Sequence, residues 1–476
     1  MDKISLLSQS SSIIITVIIC LLFTFIGIVY SQKFKGKNNY LVANRSVGLF
    51  SLTTSFVASA LGAWILFGPA SAATWGGIGA VVGYALGTAF PLFVLIYLGG
   101  KFRKLYPNGK SLIEVIGLRF GNKLFKLILI LSIFYMSIFL IAEVTAVSIL
   151  LNYISGTDLW ITSLVVIVSS LIYTLYGGLR ASIFTDNIQF VLFGLLLLVA
   201  YFYLILFNVN SFSFEFIKLN RPFLLSSGYL PNFTAGLTFF IAVAATNLFH
   251  QGNWQRVYAA KNYIVLKKSL IIAFIIIIPV VFMMGFSGLI AVSEDPKVIP
   301  DLAFFSLLLK DQREILSIII IFLAISLTIS SIDTIINAIS SLIIVDGNKI
   351  IKFKGNYQKL SHKIILIISF IAFLIASKGL SILYLFLLAD LFCCAAALSV
   401  FYGFYNKSFS EKKAYISIIF GLIVGLLLFP SQDFSKSILV GILIPIEYFP
   451  SFISNSLLFL SFLFAIFTPV MTWKIE

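Results

Sequence analysis

The chain has 476 residues, 60% of them hydrophobic and 11% charged, with a net charge of +15 and a mean hydropathy of +1.08. Soluble domains stand nearer about 45–50% apolar and about 25% charged, so composition excludes a soluble enzyme or nucleic-acid-binding domain and indicates a polytopic membrane protein. The basic excess then belongs to loops on one side of a bilayer rather than to a nucleic-acid surface.

The apolar runs are continuous and do not alternate with polar residues, so they read as helices and not as barrel strands. At roughly 20 residues per crossing, thirteen spans are expected: 13–30, 47–72, 75–99, 124–153, 158–177, 182–208, 233–255, 266–293, 313–345, 361–378, 380–405, 411–430 and 451–473. The first is too long for the apolar core of a signal peptide and lacks a small-residue cleavage site, so it is kept as a span. The second carries "SALGAWILFGPASAATWGGIGAVVGYALG" (Ser59–Gly87), in which Gly62, Gly68 and Pro69 interrupt the helix. A broken helix at membrane depth lines a cavity or meets protein, and its freed backbone can hold ions or substrate. The small residues of 76–87 are assigned to close helix packing. The seventh span, 233–255, leads into "ATNLFHQGNWQRVYAAK" with a similar interruption at Gly252. Interruptions at matching places in two halves are the strongest sequence pointer to a transporter's binding site.

Charges inside spans are costly and mark function. Glu143, Asp186, Asp333 and Asp390 stand in or at the ends of spans, with almost no Lys or Arg there to pair them, which suggests a path for a cation. On the ninth span, Ser326, Ser330, Thr334, Asn337 and Ser341 fall within about 40° of one line, beside Asp333 and Ser340, so this stripe faces protein or water. Such oxygen ligands suit a hard cation. Cys20, Cys393 and Cys394 lie in apolar runs without metal-ligand spacing and are read as packing residues. No nucleophile–His pair or metal-ligand cluster is visible, so an enzyme is not expected.

Five loops concentrate basic residues. They carry Lys33, Lys35, Lys37 and Arg45; Lys101, Arg103, Lys104 and Lys110; Arg256, Lys261, Lys267 and Lys268; Lys349, Lys352, Lys354, Lys359 and Lys363; and Lys407, Lys412 and Lys413. The acidic loop Ser293–Asp301 falls on the opposite side. This pattern expects an external N-terminus, an internal C-terminus and a location in the plasma membrane.

Three stretches in this order, "YGGLRASIFTDNIQF" (Tyr176–Phe190), "NWQRVYAAKN" (Asn253–Asn262) and "SSIDTIINAISSLIIVD" (Ser330–Asp346), resemble motifs of the sodium:solute symporter family. The resemblance covers about 13–405. It implies an all-α membrane protein with a LeuT-type core of five-plus-five inverted repeats, here 47–208 and 233–405. One extra N-terminal helix (13–30) and two C-terminal helices (411–473) would complete a single transporter domain over 1–476. It also implies a sodium site made by the carbonyls of Ala58, Leu61 and Leu327 with the hydroxyls of Ser330 and Ser331. Some members bind a second sodium, which here would use Asp186, Ser330, Asp333 and Thr334. Ala60 stands where the proline branch has an acidic residue, and His250 where the sugar branch has Asn, so neither substrate can be inherited.

The expected function is sodium-coupled import of a small polar solute by alternating access: neutral, zwitterionic or cationic, such as urea, an amino acid or a sugar. The solute would be enclosed by Trp64, Glu143, Asn247, His250, Gln251 and Asp390. Sodium is the co-transported ion, with no organic cofactor, and the chain is expected to work as a monomer in the bilayer. Proton coupling through Glu143 or Asp390, or a sensor acting through a separate partner, are the alternatives.

Overall fold

A computed structural model describes residues 6–32, 36–207, 212–311, 313–350, 353, 355–448 and 450–472. Lys33, Lys35, Lys352 and Lys354 of the basic loops, and the last residues of the spans 182–208 and 451–473, lie outside them. Among the described residues every extended element is a helix. In chain order come α1 (Gln9–Ser31), α2 (Lys37–Val42), α3 (Leu49–Ala60), α4 (Gly68–Leu105), α5 (Leu112–Phe120), α6 (Asn122–Ser155) and α7 (Leu159–Phe207). They are followed by α8 (Phe214–Asn220), α9 (Leu230–Phe249), α10 (Gln251–Ala259), α11 (Tyr263–Glu294), α12 (Ala303–Leu308) and α13 (Glu314–Val345). The last are α14 (Tyr357–Ala376), α15 (Ile382–Gly403), α16 (Glu411–Leu428), α17 (Ser451–Ser454) and α18 (Leu457–Thr472). By length and composition, nine of the described helices can cross a membrane.

Local chemistry explains the boundaries. Ser8, Ser111, Asn262 and Ser381 each accept a backbone N–H at the start of the helix that follows, supplying partners that a helix start lacks. Helix α7, with 49 residues, would measure about 73 Å at 1.5 Å per residue, far more than one crossing. Gly178, at φ 60°, breaks it into two arms. The break falls at the predicted division between 158–177 and 182–208. The Tyr40 ring lies against Gly178 where a Cβ would stand. Gly77, at φ 59°, divides α4 in the same way.

Helix α13 occupies the centre. From Leu323 to Ile344 every side chain is buried, apolar and polar alike, so no face of that stretch meets lipid. It packs against α6, α7 and α3, and α4 lies against both α9 and α11. The α4–α9 approach is backbone to backbone: side chains at Gly79 and Gly83 would run into the main chain at Asn232 and Gly236. The packing expectation for 76–87 therefore has a specific partner helix. Lipid-facing side chains such as Ile18, Phe25, Phe93, Leu198 and Phe202 are more than half exposed on the outer helices.

Two expectations are corrected. The second interruption falls at His250, whose ψ of 110° ends α9, and not at Gly252, which lies inside α10. Arg256 belongs to that buried helix and not to a solvated loop, because the chain stays inside the protein for two more turns after the break.

Gly83→Val forces the α4 and α9 backbones apart and should destabilise the purified protein by roughly 1–3 kcal/mol, read as a lower unfolding temperature in detergent. Gly194→Ala adds a methyl where no atom lies within 4 Å and should leave that temperature unchanged or higher.

Candidate functional site

Helix α3 ends at Leu61 (φ −105°, ψ 73°), and after Gly62 a single 3₁₀ turn, Ala63–Leu66, leads into α4. Pro69 fits the first turn of α4, where its missing N–H costs nothing. Glu143 reaches the break from α6: its Oε2 accepts the Ala63 N–H at 3.0 Å, and the carboxylate also takes the Trp64 N–H and the Ser331 hydroxyl. Only glycine fits at 62, since a Cβ there would collide with Ser331 Oγ and Glu143 Oε1.

The second break is satisfied from its own flank. Asn253 Nδ2 donates to the Asn247 carbonyl (3.0 Å) and Trp254 Nε1 to that of Leu248 (2.7 Å), serving the carbonyls left open at the end of α9. The two breaks face a common cavity of about 50 Å³. Trp64 and Tyr84 stack with centroids 5.7 Å apart on one wall, and Tyr84 stacks on Phe239 behind. Thr246, Asn247 and His250 come from α9 and its end, Ser331 and Thr334 from α13, and Phe386 and Asp390 from α15. Asp390 lies beside the Thr246 hydroxyl, which donates to the Ala242 carbonyl at 3.1 Å. Among the described residues, no Lys or Arg lines this cavity.

Five of the six expected substrate residues meet here: Trp64, Glu143, Asn247, His250 and Asp390. Gln251 does not. Its amide donates to the Lys110 carbonyl and to Ser341 Oγ, both at 3.0 Å, because the turn after His250 swings it away from the cavity.

The acids deeper in the bundle also differ from expectation. Asp186 is paired with Arg256 at 2.8 Å, both side chains fully shielded, so the absence of an interior cation read from the sequence is overturned. Asp186 further accepts from Ser55 (2.6 Å) and Ser330 (2.7 Å). Arg256 donates to Ser55 Oγ, the Gly252 carbonyl and Thr334 Oγ1. Asp333 turns elsewhere, to Tyr173 (2.8 Å), Ser182 (2.8 Å) and Thr185 (3.2 Å). Of the four residues of the second sodium site, Asp186 and Thr334 thus bond the Arg256 guanidinium, Ser330 bonds Asp186, and Asp333 faces the α7 hydroxyls.

Ala58, Leu61, Leu327, Ser330 and Ser331 are all buried, on α3, its end and the facing stretch of α13. Their two hydroxyls diverge by one helical step: Ser330 is on Asp186, and Ser331 is on Glu143 and the cavity. Tyr173, Ser182, Thr185 and Ser55 were not singled out from the sequence. Ser182, Thr185 and Asp186 lie at i, i+3 and i+4 just after Gly178, a spacing that would have exposed them.

Two further groups of contacts tie together the helices that carry the cavity. In one, Asp301 accepts from Ser71 (2.9 Å), Ser381 (3.4 Å) and the Ile382 N–H (3.3 Å), joining α4 to the start of α15; its enclosure pushes the carboxyl above the usual carboxylate range. In the other, Val47 pairs through its backbone with Ala259 and Lys261, and Ser111 donates to Asp346 at 2.6 Å.

Comparison with known proteins places this architecture. The family model described as the sodium:solute symporter family matches residues 40–421. A curated relative, the spermidine transporter of Candida albicans, is 27% identical over 404 residues, covering 83% of this chain and 75% of that protein. The sodium-dependent multivitamin transporter of Oryctolagus cuniculus is 31% identical over 193 residues, but the match spans only 38% of this chain and 29% of that protein. Among solved structures, a substrate-bound outward-open sodium-coupled sialic acid symporter superposes with a TM-score of 0.72 at 17% identity, covering 98% of this chain and 97% of that one. MHP1, a nucleobase-cation-symport-1 family transporter in a closed conformation, follows at 0.56 and 13% identity, over 92% and 95%. The matched span, together with a cavity set between two broken helices, leads to one conclusion: this multi-pass membrane protein belongs to the sodium:solute symporter family and is built for solute symport.

Proposed function

We propose that the chain imports a small organic cation across the plasma membrane together with one sodium ion, by alternating access. The observation that carries this reading is the cavity's lining: two carboxylates, Glu143 and Asp390, stand among Trp64, Tyr84, Phe139 and Phe386, with no lining Lys or Arg among the described residues. Carboxylates attract a cation directly, and aromatic faces attract it through their quadrupoles. The relative named as a spermidine transporter, which matches most of this chain, supports the same solute class.

Sodium would sit between the end of α3 and α13, on the carbonyls of Ala58, Leu61 and Leu327 and the hydroxyls of Ser330 and Ser331. Ser331 can offer its lone pairs to the ion while its proton stays on Glu143. Ion and solute sites would then share one hydroxyl at the edge of the cavity, and each ligand would tighten the other by the same factor. At Asp186, Arg256 plays the part of a tethered cation, which supports one sodium per cycle rather than two. A monovalent cation moving with one sodium carries two charges, worth about 4.6 kcal/mol across a potential of about 100 mV. The basic loops support an internal face at the Val47 and Asp346 end, and an external face at Asp301.

Ser331→Ala should abolish sodium-dependent uptake in proteoliposomes while membrane expression is kept; sodium affinity unchanged in that variant overturns the ion site. Parallel runs at fixed pH with and without sodium test the ion itself, and uptake indifferent to sodium transfers the coupling to protons.

A flux ratio of one sodium per solute is expected, and a ratio of two restores a second ion at Asp186. Asp186→Asn strands the Arg256 charge and should cost roughly 3–5 kcal/mol of stability. Adding Arg256→Met to it should recover most of that loss in thermal unfolding.

A further inference from the structure

Where a membrane helix is discontinuous, the freed backbone N–H groups are the donors that hold the anionic end of a transported solute. Here those donors are already taken. Glu143, 2% exposed, holds the Ala63 N–H at 3.0 Å, together with the Trp64 N–H and the Ser331 hydroxyl. The packing around Gly62 leaves no room for a second carboxylate beside it. Across the cavity, Asp390 is 4% exposed and lies beside the Thr246 hydroxyl, whose proton goes to the Ala242 carbonyl, so its lone pairs are available to a donor from the solute. Among the described residues, no lining Lys or Arg stands ready to neutralise an incoming anion.

We propose that the solute is an amine that carries no carboxylate: Glu143 fills the seat an amino acid's carboxylate would need, and Asp390 receives the ammonium. This rests on the organic-cation reading and narrows it. An amino acid would bring a second negative charge against Glu143 with its backbone donors spent. The corresponding decarboxylated amine has the same chain and the same ammonium group without that penalty. Glu143 is thereby both a positioning residue, holding the break and the Ser331 hydroxyl in register, and a filter on the charge of the solute.

The test uses pairs that differ by one carboxylate: putrescine against ornithine, cadaverine against lysine, and agmatine against arginine. Binding to the full chain in sodium-containing proteoliposomes is read by displacement and by sodium-dependent uptake. Each amine is expected to bind at least about tenfold more tightly than its parent amino acid, the scale of one unpaired charged hydrogen bond. In Glu143→Gln the ratio should fall to within about threefold, because the amide removes the like charge and supplies donors. In Asp390→Asn, affinity for the amine should drop. A Glu143 that only supported the fold would weaken both members of each pair and leave their ratio unchanged, which would overturn its role as filter. Amino acids binding as well as their amines overturn the proposal and leave the organic-cation reading in place. If none of the six compounds binds and a neutral sugar or urea does, the organic-cation reading itself fails.

Discussion

Backbone that leaves a helix inside a membrane must find partners within the protein, since hydrocarbon supplies none. The architecture of this transporter is organised around meeting that demand twice. At the first break the partner is a carboxylate sent from another helix, Glu143 on α6. At the second the partners are side chains a few residues along the same strand of chain, Asn253 and Trp254. The difference has a functional consequence. A break satisfied by its own flank is self-contained, whereas a break satisfied from α6 ties three elements together and places a negative charge beside the cavity.

The buried pair of Asp186 and Arg256 is the second organising contact. It draws Ser55 of α3 and Ser330 and Thr334 of α13 onto one ion pair between α7 and the short helix α10. Removing one partner of such a pair is far more damaging than never having had it, because the remaining charge has nowhere to go. Through Ser330 and Ser331 the pair and the cavity are adjacent steps on α13. A shift of that helix relative to α3 would therefore be felt at both.

Much of this was legible in the sequence. Apolar runs located the helices, and glycine and proline located the first break. The hydroxyl spacing on "ISSIDTIINAISS" marked a helix that turns polar groups inward. The burial of α13 on every face was not legible, because its isoleucines read the same whether they meet lipid or neighbouring helices. Arg256 was misplaced for a physical reason. It is followed closely by Lys261, Lys267 and Lys268, so it read as part of a solvated basic loop, although Trp254, Val257 and Tyr258 around it already had the spacing of a buried helix. Gln251 was drawn into the cavity by its neighbour His250, since a sequence shows that a chain breaks but not the direction in which it leaves.

The Asp186–Arg256 pair also constrains how the protein can be made. Asp186 enters the bilayer 70 residues ahead of Arg256, so the nascent chain carries an acid in the membrane before its partner exists. Protonation offers that acid a cheap temporary form, whereas an arginine stays charged throughout. The order of synthesis thus puts the group that can wait first and the group that cannot wait second. The docking of α10 against α3 and α7 becomes the event at which an intermediate of membrane assembly turns into the finished transporter.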